Sequence, residues 1–342
     1  MPQYKVAIVG NGGIYRLAHR PAWQNLARAG RAKVVATCDI DEGRAKQACE
    51  ELGARAHYTE MVTLLDRDRD IDLVDICTPS GTHAELAIRA LQAGKHVICE
   101  KPMAMTDEDA SRMIATTRRV NRGLFIGQTR RFDDRWMAMR EAINAGRIGD
   151  PVAVRRAERS WGSFPRDDWH WDLGTSGGVL MDLGVHVADL FTWFLGQDPV
   201  SVYARGLTIR PEAKESGCYD FGVVLVTYPN GRRGLMELSW ASPKAIAPFY
   251  ASTEVIGTKG KIEYRDRNTA PMTVVDGGID VPRYSPLLSS MPHCFDRELG
   301  HFLDCIDQGQ EGRITLEEAR GAVQVVTAAF RSIAAKRPVR LQ

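Results

Sequence analysis

The sequence predicts an α/β protein in two parts, a doubly wound parallel sheet in residues 1–127 and an α+β domain in residues 128–342. Two observations lead to this prediction. Short β-branched runs alternate with helical patterns in the first third of the chain, and candidate strands follow one another closely after about residue 128. A length of 342 residues also exceeds one typical core and suits two domains.

The N-terminal part repeats the order strand, helix, strand. Its predicted strands are Lys5–Val9, Lys33–Cys38, Leu73–Cys77, His96–Cys99 and Leu124–Gly127. The predicted helices are Pro21–Ala29, Glu42–Leu52, Ala84–Ala93 and Asp107–Arg119. Alternation at this spacing is typical of a parallel sheet with helices on both faces.

The C-terminal part is richer in strands, predicted at Val152–Arg159, Val200–Leu207, Tyr219–Tyr228, Arg233–Trp240, Ser252–Ile256 and Lys261–Tyr264. Pro229–Gly231 lies between two of them and is typical of a hairpin turn. This succession favours a mainly antiparallel sheet, and a final helix is predicted at Leu316–Ala335.

Composition argues against several classes of function. The net charge of +2 is too small to predict a nucleic-acid or anionic-membrane partner, which needs a concentrated basic surface. Seven dispersed cysteines have neither a disulfide framework nor zinc-ligand spacing, which favours a reducing compartment. Because a strand-like run begins at Tyr4, no secretory signal is expected, and we predict a cytoplasmic protein without a metal site.

A glycine-rich loop, Gly10–Tyr15 with the sequence GNGGIY, follows the first predicted strand and precedes a helix. In the dinucleotide fingerprint the first glycine permits a tight turn and the second lets the backbone approach the pyrophosphate. Tyr15 stands at the third glycine position, so an ordinary glycine-rich turn is the alternative. The loop residues predicted to bind a cofactor are Gly10, Gly12, Gly13 and Ile14.

Asp39 ends the second predicted strand, where the fingerprint places an acid that binds the ribose hydroxyls. A carboxylate at this point repels a 2′-phosphate, so NAD is predicted in preference to NADP. Arg44, a few residues on, opposes that preference. The alternative is that Asp39 only caps the helix predicted at Glu42–Leu52.

Three further segments carry a resemblance to a known family. They are Cys77–His83 (CTPSGTH), Ala93–Pro102 (AGKHVICEKP) and Gly177–His186 (GGVLMDLGVH). Together they closely resemble the glucose–fructose oxidoreductase, inositol dehydrogenase and rhizopine-catabolism (Gfo/Idh/MocA) family, and the resemblance covers essentially the whole chain.

The resemblance implies a Rossmann domain followed by an α+β domain with a large open, mainly antiparallel sheet. It implies association through that sheet as a homodimer or homotetramer. The reaction it implies is reversible hydride transfer between nicotinamide C4 and a carbinol carbon of a sugar, sugar derivative or cyclitol. Lys101, Asp182 and His186 match the family's catalytic triad.

These residue types suit the chemistry. Oxidation of an alcohol needs a base that works near neutral pH, which His186 supplies, and a cation beside the oxygen, which Lys101 supplies. Asp182 lies four residues before His186, so on one helix the two would share a face. Taken singly, the alternatives are a surface lysine and a solvated helix face.

Other residues are predicted to line the same site. The resemblance places Glu100 and Lys101 with the cofactor contacts, and Thr78, Pro79 and His83 follow the third strand, where open α/β sheets bind ligands. Helix capping is the alternative for His83. Gln128 is predicted to touch the cofactor and Arg131 the substrate, with a structural role equally open. The family often holds the peptide before Pro102 in cis.

The segment Trp161–Asp172 is both aromatic and polar, which suits a carbohydrate pocket. Trp169 and His170 are the predicted substrate contacts, and an interface loop is the alternative. Lys101, Asp182 and His186 are predicted to touch the substrate as well.

Three functions remain open at this point. The first is an NAD-dependent sugar or cyclitol dehydrogenase. The second is a glycosidase-type enzyme with retained NAD, which oxidises, eliminates, hydrates and reduces back. The third is an NAD-binding sensor without turnover.

Overall fold

The computed structural model describes residues 3–242, 249–265, 272–275, 279–280 and 291–341. The chain divides into two compact units. The first unit comprises Met1–Ala104, Glu108–Asp133 and Ser290–Ala319. The second unit comprises Met105–Asp107, Asp134–Ser289 and Arg320–Gln342.

The first unit contains a six-stranded sheet in the order β3-β2-β1-β4-β5-β6. Its strands are β1 Tyr4–Val9, β2 Ala32–Cys38, β3 Ala56–Tyr58, β4 Leu73–Ile76, β5 His96–Glu100 and β6 Leu124–Gly127. Every neighbouring pair is parallel, which confirms the prediction. The strands are almost continuously buried, as expected of a parallel sheet covered on both faces.

Helices connect these strands. A π-helical segment, Tyr15–His19, runs directly into the first α-helix. The α-helices of this region are α1 Arg20–Arg28, α2 Glu42–Leu52, α3 Met61–Arg67, α4 His83–Gln92 and α5 Asp107–Val120. Asp41 caps α2 by accepting the Arg44 N–H at 3.1 Å, and Gly53 ends the helix in the left-handed conformation.

The second unit contains a nine-stranded sheet in the order β14-β13-β12-β11-β7-β10-β9-β8-β15. Its strands are β7 Pro151–Ser160, β8 Ser201–Leu207, β9 Phe221–Thr227, β10 Arg233–Ser239, β11 Phe249–Gly257, β12 Lys261–Arg265, β13 Met272–Val275, β14 Ile279–Asp280 and β15 Val339–Arg340. Only the described pair β7 and β10 is parallel, so the sheet is mainly antiparallel as predicted. The predicted turn joins β9 to β10, with Asn230 and Gly231 at positive φ.

The helices of the second unit include α6 Asp134–Asn144, α7 Gly178–Asp182, α8 Gly184–Leu195 and α9 Pro211–Ser216. The window Gly178–Leu195 is long and apolar enough to cross a membrane by length and composition, but 72% of it is buried. Its side chains join those of β7, β9 and β10 in the hydrophobic core of this unit. The window therefore has the properties of a core helix pair.

Two long helices complete the chain, α10 Met291–Gln308 and α11 Leu316–Ala335. The sequence-based division at residue 127 assigns both to the C-terminal part, yet residues 290–319 belong to the first unit. The reason is packing between residues distant in sequence. Helix α10 lies against α1, and Phe302 stacks on Phe125 of β6 with ring centroids 5.0 Å apart.

Candidate active site

The loop after β1 turns tightly at Gly10 and is open at Gly12 and Gly13. Gly10 has a φ of 92°, and a Cβ there would lie 2.6 Å from the Cys77 carbonyl carbon, so only glycine fits. A Cβ at Gly12 or Gly13 would meet no atom within 4 Å, which leaves space beside the loop for a ligand. Tyr15 is buried where the π-helical segment begins, at the third glycine position.

Asp39 is buried and organises this loop. Its Oδ2 accepts the Asn11 N–H at 2.7 Å, and its Oδ1 accepts the Asp41 N–H at 2.9 Å. The Arg44 guanidinium pairs with the same Oδ1 at 3.1 Å. Asp39 thus holds the glycine loop to the end of β2 and keeps a negative charge there. Helix capping falls to Asp41.

Replacing Asp39 by asparagine is expected to raise the NADP-to-NAD ratio of kcat/KM by about tenfold or more. The substitution removes the charge that repels the 2′-phosphate of NADP. It also releases the Arg44 side chain, which can then bind that phosphate. The measurement is initial rates with each cofactor at saturating substrate. Asp41→Asn is the matched control, because Asp41 also lies beside Arg44 at 3.7 Å and should leave the ratio unchanged. An unchanged ratio in Asp39→Asn would remove Asp39 from cofactor selection.

Two side-chain amides of the first unit, those of Asn11 and Gln128, have buried atoms for which no described residue is a hydrogen-bond partner. Both side-chain polar atoms of Asn11 and the Oε1 of Gln128 are buried, with no hydrogen-bond partner among the residues the structure describes. Buried polar groups are normally satisfied, so these atoms fit a site that a polar ligand completes. Asn11 was missed from the sequence, because the fingerprint leaves its position unspecified.

His83 joins the segments that follow β4 and β5. Its Nδ1 is 2.7 Å from the Pro102 carbonyl oxygen and its Nε2 is 2.8 Å from the Thr78 carbonyl oxygen. Burial lowers the pKa of His83, and the two carbonyl contacts oppose part of this effect. Only 1% of the His83 surface is exposed, so its side chain holds the backbone. The sequence-based prediction had instead placed His83 on the surface that lines the ligand. Thr78 and Pro79 are half-buried beside it.

Lys101 directly follows β5 and is half-buried. Its backbone N–H donates to Glu100 Oε2 at 3.0 Å, and the following peptide, Lys101–Pro102, is cis. Together with the His83 contact to Pro102, these bonds fix the backbone that carries the lysine side chain.

Glu100 and Arg131 differ from the sequence-based assignments. The Glu100 carboxylate is buried and occupied by Lys101 N–H and by His19 Nε2 at 2.9 Å, so it supports the lysine and is not free to bind cofactor. Arg131 is 1% exposed and its guanidinium pairs with Glu318 at 3.0 Å. That ion pair explains the burial of Arg131 and does not support a substrate contact.

Glu298 of α10 is buried in the first unit, where its Oε2 accepts the Thr129 hydroxyl at 2.9 Å. Burial raises the pKa of Glu298 well above its ordinary value of 4.5, and the nearby charge of Glu100 adds to the increase. Burial therefore favours the protonated form of the Glu298 carboxyl.

Glu298→Gln is expected to be more stable than the parent protein at pH 8, with the difference shrinking toward pH 4.5. The folded protein keeps a proton that the unfolded chain releases above 4.5, so the free energy of unfolding falls as pH rises toward the folded pKa. Glutamine cannot ionise and avoids this loss, up to about 1.4 kcal/mol per pH unit. Denaturant unfolding at several pH values measures the difference. The exposed Glu311→Gln is the control, and parallel curves for both variants would contradict the prediction.

Asp182 and His186 lie in the second unit. The sequence predicted both on one helix, but the structure places them on two consecutive helices. Asp182 is the last residue of α7 and His186 the third of α8, with Leu183 between the two helices at φ −91° and ψ −32°. Both side chains are half-buried, whereas their neighbours Met181 and Val185 are fully buried. Asp182 and His186 are thus partly exposed on a helix pair whose other residues are mostly apolar, with the buried Asp189 of α8 as an exception.

The aromatic segment is compact and tied to α7. The His170 ring stacks on Phe164 with centroids 3.7 Å apart and lies 3.9 Å from the Trp169 ring. Asp168 pairs with His170 Nδ1. The Ser176 hydroxyl donates to the His170 carbonyl at 2.6 Å and accepts the N–H of Gly178, the first residue of α7, at 2.8 Å.

The fold and these groups define a class before any relative is considered: a Rossmann-type dinucleotide-binding protein with an acid/base histidine and a lysine among its candidate residues. Residues 4–128 match the model described as "Oxidoreductase family, NAD-binding Rossmann fold". Residues 136–263 match the model described as "GFO/IDH/MocA C-terminal domain". The chain belongs to the Gfo/Idh/MocA family of oxidoreductases, and it is an NAD-dependent dehydrogenase.

Similar proteins support this membership over nearly the full length. Inositol 2-dehydrogenase of Rhizobium meliloti is 30% identical over 313 residues, which are 90% of this chain and 91% of the relative. Myo-inositol 2-dehydrogenase of Thermotoga maritima is 29% identical, with 99% and 98% covered. The crystal structure of GenD2 from gentamicin A biosynthesis, in complex with NAD, has a TM-score of 0.85 and 25% identity, with 100% and 97% covered.

Proposed function

We propose that this protein oxidises a secondary alcohol of a sugar or cyclitol with NAD, reversibly, with Lys101, Asp182 and His186 as its catalytic residues. The observation that carries the proposal is the anchored backbone of Lys101. Hydrogen bonds from Lys101 N–H to Glu100 and between His83 and the Pro102 carbonyl hold it at the end of β5.

Lys101 stabilises charge that develops on the substrate oxygen. As the hydroxyl proton leaves, the oxygen gains alkoxide character, and an ammonium group held beside it lowers the energy of that state. This stabilisation requires little reorganisation when the ammonium group is already in place. A fixed backbone also reduces the number of positions that the long side chain can reach. The same contact orients the carbinol for transfer in either direction.

His186 exchanges the hydroxyl proton. An imidazole titrates near neutral pH, so it can accept the proton during oxidation and return it during reduction. Asp182 precedes it by four residues across the junction of α7 and α8 and supplies a carboxylate for a substrate hydroxyl or for orientation of the imidazole. Both remain half-buried on helices that are mostly apolar, which suits a site that excludes most water.

The residues of the first unit fit NAD. Gly12 and Gly13 leave room for the pyrophosphate, and the orphan amides of Asn11 and Gln128 offer polar contacts. Asp39 binds the ribose hydroxyls, and Ile40, which is 90% exposed, gives the adenine an apolar surface. Ile14, Thr78 and Pro79 complete the proposed contacts. NAD, when bound, supplies the hydride acceptor at nicotinamide C4.

The proposed substrate class rests on the aromatic segment and on the relatives. The half-buried Trp169 ring lies near the carboxylate of Asp168, a combination that suits the C–H faces and hydroxyls of a polyol ring. The faces of the His170 ring are stacked against Phe164 and Trp169, so Trp169 is the proposed aromatic contact. Two full-length relatives are named inositol dehydrogenases. Association of the protein through its nine-stranded sheet stays a prediction.

The test is NADH formation with a panel of inositols, aldoses, glycosides and anhydrosugars, each offered with NAD and then with NADP. Sustained NADH production with at least one polyol is expected, faster with NAD. NAD binding without turnover on any member of the panel would contradict the proposal. Release of a sugar from a glycoside without net NADH would instead indicate the retained-cofactor cycle.

A further inference from the structure

A cluster of five buried titratable side chains in the first unit is not used directly by the proposed reaction. This buried polar cluster consists of His19, Asp75, Cys77, Glu100 and Glu298, each less than 9% exposed. Asp75 lies on β4 and Glu100 on β5, while His19 comes from the π-helical segment and Glu298 from α10. So many ionisable groups in a protein core require mutual compensation.

His19 lies between the two carboxylates. Its Nδ1 is 2.8 Å from Asp75 Oδ2, and its Nε2 is 2.9 Å from Glu100 Oε1. An ionised carboxylate only accepts hydrogen bonds, so two such partners favour an imidazole that carries a proton on both nitrogens. Burial alone would lower the pKa of His19, but the charge and hydrogen bond of Asp75, together with the adjacent Cys77, outweigh burial and raise that pKa well above 6.5.

The remaining groups agree with an imidazolium at this position. Trp23 Nε1 also donates to Asp75 Oδ2, at 2.6 Å, but adds no charge. Burial raises the pKa of the Cys77 thiol to about 12 and raises that of Glu298 well above 4.5, so burial favours the uncharged form of both groups. His19 is then the cation of the cluster, and it faces the carboxylates of both Asp75 and Glu100.

The cluster reaches the lysine through Glu100. One oxygen of its carboxylate faces His19 and the other accepts the Lys101 N–H at 3.0 Å. Rotation of the Glu100 side chain would break both contacts together. If His19 loses its charge, the buried carboxylates of Asp75 and Glu100 lose the cation between them. One of the two side chains must then bind a proton or rotate to another position.

We propose that His19 is a positioning residue for Lys101: an imidazolium that bridges Asp75 and Glu100 and thereby holds the carboxylate to which the Lys101 backbone is bonded. The proposal rests on the function proposed for Lys101. It assigns a role in the reaction to a residue that touches neither substrate nor the reacting atoms.

The first test compares His19→Gln with Trp23→Phe. Both remove a hydrogen bond to Asp75 Oδ2 at similar depth, but only His19 also contacts Glu100. His19→Gln is expected to lower kcat about tenfold and to change the Kd for NAD less than about threefold, because a small displacement of a catalytic group is costly. Trp23→Phe should keep kcat within about twofold even if its Tm falls. Equal kcat losses in the two variants would reduce His19 to a structural residue.

The second test needs no substrate, so it separates failure of this proposal from failure of the proposed function. Hydrogen exchange of the Lys101 amide, followed by mass spectrometry, should be about tenfold faster in His19→Gln than in the parent and unchanged in Trp23→Phe. Unchanged exchange in His19→Gln would overturn the proposal.

The third test uses the unmodified sequence, in case His19→Gln does not fold. In protein labelled with ¹⁵N-histidine, one ring should show two N–H protons near pH 8, and Glu100→Gln should abolish that signature. A neutral His19 ring in the parent would overturn the proposal. So would a tightly bound metal ion, for which the ligand atoms of His19, Asp75 and Cys77 lie close enough at 4.8 Å.

Discussion

Lys101→Ala is expected to lower kcat by about a hundredfold to a thousandfold while NAD binding survives. The ammonium group stabilises charge that exists fully only in the transition state, so its loss should appear mainly in kcat and less in KM. The substitution leaves the backbone N–H that bonds to Glu100 and the carbonyl of Pro102 that bonds to His83. The measurements are steady-state rates with a substrate from the panel and fluorescence titration with NAD.

Two further variants sharpen this prediction. Lys101→Arg keeps the charge but replaces a compact ammonium by a planar guanidinium, and it should recover only part of the rate. Lys33→Ala removes an exposed lysine of β2 and should leave kcat unchanged. Lys101→Ala with a rate near that of the parent would exclude Lys101 from the reaction.

His186→Asn is expected to lower kcat by about a hundredfold to ten-thousandfold, the usual contribution of a general acid/base. Asparagine can still hydrogen-bond a hydroxyl but cannot exchange a proton near neutral pH. The limb of the pH–kcat profile that reports the base should therefore disappear, and the residual rate should rise with hydroxide concentration. Profiles of kcat and kcat/KM from about pH 5 to pH 10 measure both effects.

The control for His186 is His293→Gln. His293 is an exposed histidine of α10, so the same loss of a titratable ring there should leave the profile unchanged. A His186→Asn variant that keeps the parent profile with a uniformly lower rate would point to a role in orientation. Asp182 would then be the remaining candidate for proton exchange.

Local patterns in the sequence predicted most of the architecture. The helix Leu316–Ala335 is observed with the predicted bounds, and the strand runs of the first unit are those of a parallel sheet. Strand β3, with three half-buried residues, was missed because so short a run shows no period. The interruption at Leu183 was also missed, since both sides of it continue the same apolar pattern.

The residues of the candidate site were predicted less completely than the fold, because local patterns do not show side-chain contacts between distant parts of the chain. Gly10 and Asp39 lie where the order of strand, loop and helix predicts them, and their contacts with a cofactor stay predictions. Glu100 and His83 were taken for cofactor contacts, because a motif shows which residues recur together but not which way a side chain points. The structure turns both toward the protein, where they hold the backbone around Lys101.

The sequence alone determined the class of fold, the dinucleotide loop and the family, because each depends on residues close together in the chain. Tertiary structure decided which ionisable groups compensate one another. His19 is 56 residues from Asp75 and 81 from Glu100, and Glu298 reaches the same cluster from the far end of the chain. Charges compensate through space over a few ångströms, and only the folded chain brings such distant residues that close.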